Sequence, residues 1–350
     1  ALAAAFSRGA WASAVGVLAC GAAFAGAVTD GTVGPVRTFS GQFTVPASVG
    51  TVRGSNLFHS FERFGVSAGE SATFLSPDAA LRNVVVRVTG TEASAIDGPV
   101  RLSAPSGARP NLWFLNPNGI AVGAQGIFDV PGSLALGAAQ TLEFADGSRW
   151  STSASAAGTL SVAEPKSFGF LAGASAGRID WRGATFVGKT DSHLALAAGG
   201  VSIAGGRIAT TNGAVTVDSL SDVLITARTT LSSTVTDPAA ADVSGVSIQA
   251  AGRVAVSEGS RVFTDASASA GLSGPVLVSA ASVQVGGASG SGGALLQSLA
   301  QGDSSAGPVV VSARESITVA ESGAISSFVR GAGASGDVSL EAPRITLRSD

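Results

Sequence analysis

The feature that most constrains this chain is a repeat in its last third. Segments starting at Gly245 (GVSIQA), Gly274 (GPVLVSA), Gly307 (GPVVVSA) and Gly336 (GDVSLEA) align, at steps of about 30 residues. Each start is followed by a second alternating run: Val254-Ala255-Val256, Val283-Gln284-Val285, Ile317-Thr318-Val319 and Ile345-Thr346-Leu347. In the first three repeats a third follows, at Val262-Phe263, Leu295-Leu296 and Ile325-Ser326-Ser327-Phe328. Apolar residues at every second position, between Gly, Ser and Ala turns, predict three short strands per repeat. One repeat has nothing to bury its inward face against, so repeats must stack. The pattern lacks the leucine consensus of leucine-rich repeats and the per-blade aromatic signature of propellers. It predicts an all-β fold, a right-handed parallel β-helix. Glycines are expected to relieve its turns by accepting positive φ.

Upstream the coils are less regular. Leu194-Ala195-Leu196, Val201-Ser202-Ile203, Ile208 and Val215-Thr216-Val217 read as strands between glycine pairs. Thr229 to Asp242, rich in Ser, Thr and Asp with Pro238, reads as an extruded loop. Residues 30–190 carry most of the aromatics. A solenoid end exposes an apolar cross-section and unpaired edges, so this part is expected to form an N-terminal cap and the first coils.

Composition supports short strands over a compact α/β enzyme: 45% hydrophobic, 13% charged, 47 glycines, and neither Tyr nor Met. A net charge of −3 without a basic stripe argues against nucleic acid as a partner. The single cysteine is Cys20, so the body can form neither a disulfide framework nor a thiolate metal site.

At the N-terminus, Arg8 precedes an uncharged run from Gly9 to Val28. The run closes on small-x-small boxes ending at Ala25 and Ala27. Charge, apolar stretch, then small residues is the order of a signal peptide, here 1–27; it is favoured over a retained anchor because no basic stop-transfer flank follows. Val17-Leu18-Ala19-Cys20 resembles a lipoprotein box. The competing reading, a small apolar cysteine inside the hydrophobic region, is the better one.

Several stretches between about 36 and 175 resemble the two-partner-secretion domain of filamentous-haemagglutinin-type proteins, also known as the haemagglutination-activity domain. They are Phe43-Thr44-Val45-Pro46, Arg53 to Phe64 (RGSNLFHSFERF), Asn83 to Gly90 (NVVVRVTG), Asn111 to Ile120 (NLWFLNPNGI) continuing to Val130, and Pro165 to Leu171 (PKSFGFL). Several motifs in order over such a span form a specific signal. The resemblance implies export across the inner membrane and passage, unfolded, through a dedicated outer-membrane β-barrel transporter whose periplasmic domains recognise this region. It further implies a β-helix that starts here and stacks outside the cell of a Gram-negative-type bacterium. Many members are adhesins, so host or cell-surface glycans or proteins are expected as further partners. The layout this implies is a signal peptide at 1–27, a secretion domain at 28–243 and regular coils at 244–350, continuing further.

Asn116, Pro117, Asn118, Gly119 and Ile120 are the candidate site. By residue type they form a β-turn, with Pro at its second position, Asn at the first and third and Gly at the fourth. By resemblance they are a determinant of secretion and partner recognition. His59 and His193, the only histidines, lack an acidic cluster and read as packed or buffering imidazoles rather than metal ligands. Asp146, Asp180, Asp191, Asp218 and Asp242 show no repeated spacing. A β-helix hydrolase or lyase needs acidic or basic groups converging in one groove, and nothing in the sequence points to one. The expectation is a non-enzyme without cofactor or metal. Two alternatives stay open: a carbohydrate-binding or carbohydrate-acting β-helix, and a scaffold lipid-anchored through Cys20.

Overall fold

A computed structural model describes residues 26–154, 158–171, 175–267, 269–287 and 292–348. Most of the expected targeting segment, with Cys20 and Ala25, lies outside the described residues. The chain winds into a parallel β-helix with three faces, in the right-handed sense that parallel crossovers take. On the first face Leu57, Val84, Leu112, Leu134, Leu194, Val215, Val246, Val276 and Val309 stand in one inward row, each paired in register with the next. On the second, Ile120, Ile179, Val201, Val223, Val254, Val283 and Ile317 do the same. Every one of these side chains is at most 1% exposed. At about 1.5–3 kcal/mol per fully buried aliphatic side chain, these rows are the main stabilising term. The third face is formed by Gln42–Val45, Ser71–Leu75, Pro99–Ser103 and Ile127–Asp129 in the first coils. It is continued by the ladder from Thr185–Thr190 to Ala324–Gly331.

The three strands expected in each repeat are present. In two coils the first and second runs fuse into one bent strand, Val276–Val285 and Val309–Val319. The stack is continuous across residue 243, since Ala214–Ser219 pairs with Gly245–Ala250 and Thr230–Val235 with Arg261–Ala266.

Two expectations need correction. The stretch 229–242 is not a loop throughout: Thr230–Val235 is a full third-face strand with Leu231 in the core, and only the short 3-10 turn Pro238–Val243 projects. Its Thr229, Ser232 and Ser233 are buried, not solvated. Thr210 and Ser233 both donate to the Gly213 carbonyl, at 2.7 and 2.8 Å, and Thr264 donates to that of Gly274 at 2.7 Å. An internal row of satisfied hydroxyls, which alternation alone reads as outward, thus ties the third face to the start of a first-face strand.

Glycines do accept positive φ at turns, among them Gly205, Gly206, Gly259, Gly271 and Gly286, but the repeat-starting glycines have a different cause. Of the four, only Gly245 has positive φ, at 141°. A Cβ on Gly274, Gly307 or Gly336 would lie 2.3–2.6 Å from a carbonyl oxygen of the neighbouring coil. What these positions require is close backbone approach.

The N-terminal end is closed as expected. Gly26–Thr29 pairs antiparallel with the far end of Asn56–Gly65, and Thr51–Arg53 with its beginning. Phe39, Phe43, Phe64 and Phe74 pack ring on ring beneath. An unforeseen element is a small antiparallel sheet, Thr141–Phe144 between Arg149–Ser151 and Pro165–Gly169, inserted between two consecutive coils. It lies over the outer side of the first face, where Phe58, Val85, Leu115, Leu142, Phe144 and Trp150 form a second core.

Candidate functional site

The Asn116–Ile120 segment is the corner between the first-face strand Asn111–Leu115 and the second-face strand Ile120–Val122. The Gly119 amide donates to the Asn116 carbonyl at 3.1 Å, closing the β-turn the residue types predict, with Pro117 at its second position. Asn116 is fully buried; its amide donates at 2.9 Å to both the Glu92 carbonyl and Ser94 Oγ in the preceding coil. Its Oδ1 accepts from the Asn118 amide at 3.0 Å. Asn118 reaches back to the Gly90 carbonyl at 2.8 Å, and the Pro117 carbonyl accepts from Gly177 in the following coil at 2.9 Å. Gly119 has φ of 119°, and a Cβ there would lie 2.9 Å from the Arg178 carbonyl oxygen. Ile120 stands in the buried second-face row. The turn is therefore a staple through three coils, with Asn118 exposed and Pro117 half-buried at its surface.

Beside this corner, a polar seam binds the outer sheet to the first coils. Asn56, Asn83 and Asn111 occupy one outward register position. Asn111 donates to Asn83 Oδ1 at 3.0 Å and Asn83 to Asn56 Oδ1 at 2.8 Å; Asn56 donates to the carbonyls of Ser161 and Ala163 at 3.0 and 2.7 Å. Asn83 also donates to Glu164 Oε2 at 2.6 Å. Asn83 and Asn111 head motifs visible in the sequence and Asn56 lies inside another, but their pairing depends on coil register.

Four residues along the strand from Asn83, on the same outer side, lies Arg87, 1% exposed. Its guanidinium donates to Ser60 Oγ at 2.8 Å, to Thr32 Oγ1 at 2.9 Å and to the Ser151 carbonyl, and lies 4.5 Å from the Trp150 ring centre. Burial lowers its pKa, and Asp30 nearby opposes that. Asp30 accepts from Ser60 Oγ at 2.6 Å, Thr32 Oγ1 at 2.8 Å and Thr89 Oγ1 at 2.8 Å. Burial alone would raise the Asp30 carboxyl, but these hydrogen bonds prevail and hold it low. The cap, the first two coils and the outer sheet thus meet at one ionic cluster.

The histidines are not brought together. His59 takes an inward position opposite Val86, against Phe61 and Phe74, and neither ring nitrogen has a hydrogen-bond partner. Burial pulls its pKa down to about 4, against a weaker opposing effect of the Val49 backbone. His193 Nδ1 accepts from the Ala214 amide at 2.9 Å. The aspartates are dispersed too. Asp180 lies between Arg178 and Arg182, Asp191 faces Arg109, and Asp146 accepts from Ser148 and Ser161. Among the described residues no group of three His, Cys, Asp or Glu side chains could hold a metal ion. The arrangement is suited to ordering and joining coils.

Residues 24–276 match the family model of the TPS secretion domain. Among solved structures, the HMW1 secretion domain from Haemophilus influenzae is similar at 12% identity, with a TM-score of 0.45, over 83% of this chain and 73% of that one. No curated protein matches the chain in sequence.

Proposed function

The chain belongs to the TPS secretion domain family, and from that premise we propose that it is recognised by an outer-membrane β-barrel transporter and nucleates β-helix folding at the cell surface. Membership makes it the secretion domain of a two-partner-secretion exoprotein, an exported protein of a Gram-negative bacterium. The observation that carries the proposal is the asymmetry of the stack. Its N-terminal end is closed by antiparallel strands, a phenylalanine cluster and the Asp30–Arg87 seam, whereas each later coil is held by parallel rungs to its neighbours. A coil buries its inward face only on a preceding coil, so the closed end is the natural nucleus and growth proceeds towards the C-terminus.

Folding outside the cell then makes transport directional, since each added coil cannot return through a pore sized for an extended chain. The segment docks on the transporter while extended, by strand addition or a similar edge contact. Asn118 and Pro117 are the corner residues we assign to recognition; Asn116, Gly119 and Ile120 act by forming the corner. The export unit follows a signal peptide and runs to residue 243, and the coils of 244–350 belong to the displayed adhesin stack. The chain has no catalytic role in this reading.

The test is release into the medium with and without the cognate barrel, for the parent chain and for Asn118→Ala and Asn116→Ala. The proposal expects barrel-dependent release, reduced in N118A although its purified fold is unchanged. Release that does not need the barrel overturns the proposal. So does barrel-independent retention that Cys20→Ala relieves, which would identify a lipid-anchored scaffold.

A further inference from the structure

Along the outer side of the first face, beyond the inserted sheet, one register position carries Asp218, Gln249, Ser279, Ser312 and Glu341 in successive coils. Among the described residues none of these side chains has a hydrogen-bond partner in the protein, in contrast to the fully engaged asparagines of the same face near the cap. Two positions earlier on these strands stand Thr216, Ser247, Leu277, Val310 and Ser339, with Leu277 and Val310 side by side and Leu277 39% exposed. The floor is thus a polar row beside a short apolar patch, Leu277 and Val310, flanked by hydroxyls.

Phe168 and Phe170 of the inserted sheet close one end, where a cleft of about 580 Å³ also includes Arg314, which donates to the Ala251 carbonyl at 2.5 Å. The cleft continues past Ser279 and Ser312 to Glu341. Burial beside this wall raises the pKa of Asp218.

We infer that this groove binds a linear, neutral, β-1,4-linked polysaccharide lying along the helix axis. The floor is the side-chain face of a sheet, with no free strand edge for a peptide backbone and no deep apolar hole for a peptide side chain. It instead offers amide, hydroxyl, carboxylate and guanidinium groups next to aliphatic and aromatic surface, matching the hydroxyl rims and apolar faces of pyranose rings. The rungs recur every ~4.8 Å, close to the advance of one ring in an extended, equatorially linked chain, so each successive sugar falls near the next rung of polar side chains. The two carboxylates of the row, Asp218 and Glu341, outnumber the Arg314 guanidinium and disfavour an acidic chain. This assignment is independent of transporter recognition.

Native affinity electrophoresis of the purified chain tests it, in gels containing galactomannan, xyloglucan, hydroxyethyl cellulose or polygalacturonate. We expect retardation by at least one of the three neutral polymers and none by polygalacturonate. Gln249→Ala and Arg314→Ala, both at exposed positions, should weaken that binding about tenfold each, the usual effect of losing one well-made polar contact, with unchanged thermal unfolding. Retardation that the two variants leave intact overturns the inference, as does retardation by polygalacturonate alone or by none of the four.

Discussion

Replacing Arg87 by Met tests whether the seam holds the N-terminal end together. Methionine keeps most of the aliphatic stem and its packing, so the change removes chiefly the guanidinium. Lost with it are the hydrogen bonds to Ser60 Oγ, Thr32 Oγ1 and the Ser151 carbonyl, and the contact over Trp150. Breaking a buried ionic cluster from one side costs about 3–5 kcal/mol. Here Asp30 keeps its hydroxyl donors Ser60, Thr32 and Thr89, and deleting a desolvated cation recovers part of the loss, which leaves about 2–4 kcal/mol. The readout is urea unfolding followed by tryptophan fluorescence, with hydrogen exchange to locate the effect. Faster exchange should be confined to Thr141–Phe144, Arg149–Ser151 and Gly26–Thr29, with the ladder beyond Leu194 unaffected. Adding Trp150→Phe should cost less in R87M than in the parent, because the two side chains share one contact. A stability change below about 0.5 kcal/mol, the size of an ordinary surface substitution, or exchange spread evenly along the stack, would refute the reasoning.

Three further outcomes are expected. The His59 imidazole titrates at 6.5 when unfolded and about 4 when folded; between those values the unfolded state binds the extra proton, so stability is complete above the window and falls by about 3 kcal/mol as pH drops through it. Urea midpoints at pH 7 and 4.5 should show this loss in the parent chain and lack the His59 part of it in His59→Leu. Asn83→Ala removes the middle of the asparagine row and leaves the buried Asn56 Oδ1 and the half-buried Asn111 amide without their partner; a loss of about 2–3 kcal/mol is expected in the same assay, and a neutral result would show that water replaces the amide. N-terminal sequencing of the exported protein should find Gly26 first. Cleavage after Ala25 keeps the whole strand Gly26–Thr29, whereas cleavage after Ala27 removes its pairs with Gly65 and Phe64; a mature chain starting at Val28 would show that those pairs are dispensable.

The three-sided coil could be read from the sequence because it follows from local rules. Alternation in Val276-Leu277-Val278 or Val254-Ala255-Val256 fixes which residues point inward, and recurrence of that pattern requires stacking. The corner at Asn116 to Gly119 was equally readable, since Asn, Pro and Gly set turn geometry within four residues. Alternation failed where a strand used polar residues: Ser233 and Thr264 look like surface positions, and only hydrogen bonds to Gly213 and Gly274 explain their burial. It failed again for Gly274 and Gly307, whose requirement is set by the carbonyls of an adjacent coil.

The outer sheet, the asparagine row, the buried Arg87 and the polar groove were beyond the sequence altogether. Arg87 is bonded to residues as far away as Thr32 and Ser151, and the row of Asp218 and Gln249 exists only once coils of unequal length have settled into register. Periodicity along the chain determines which way a side chain points. What it meets there is decided by the stacking of coils, because the intervening loops vary in length and only the packed ladders choose which residues become neighbours.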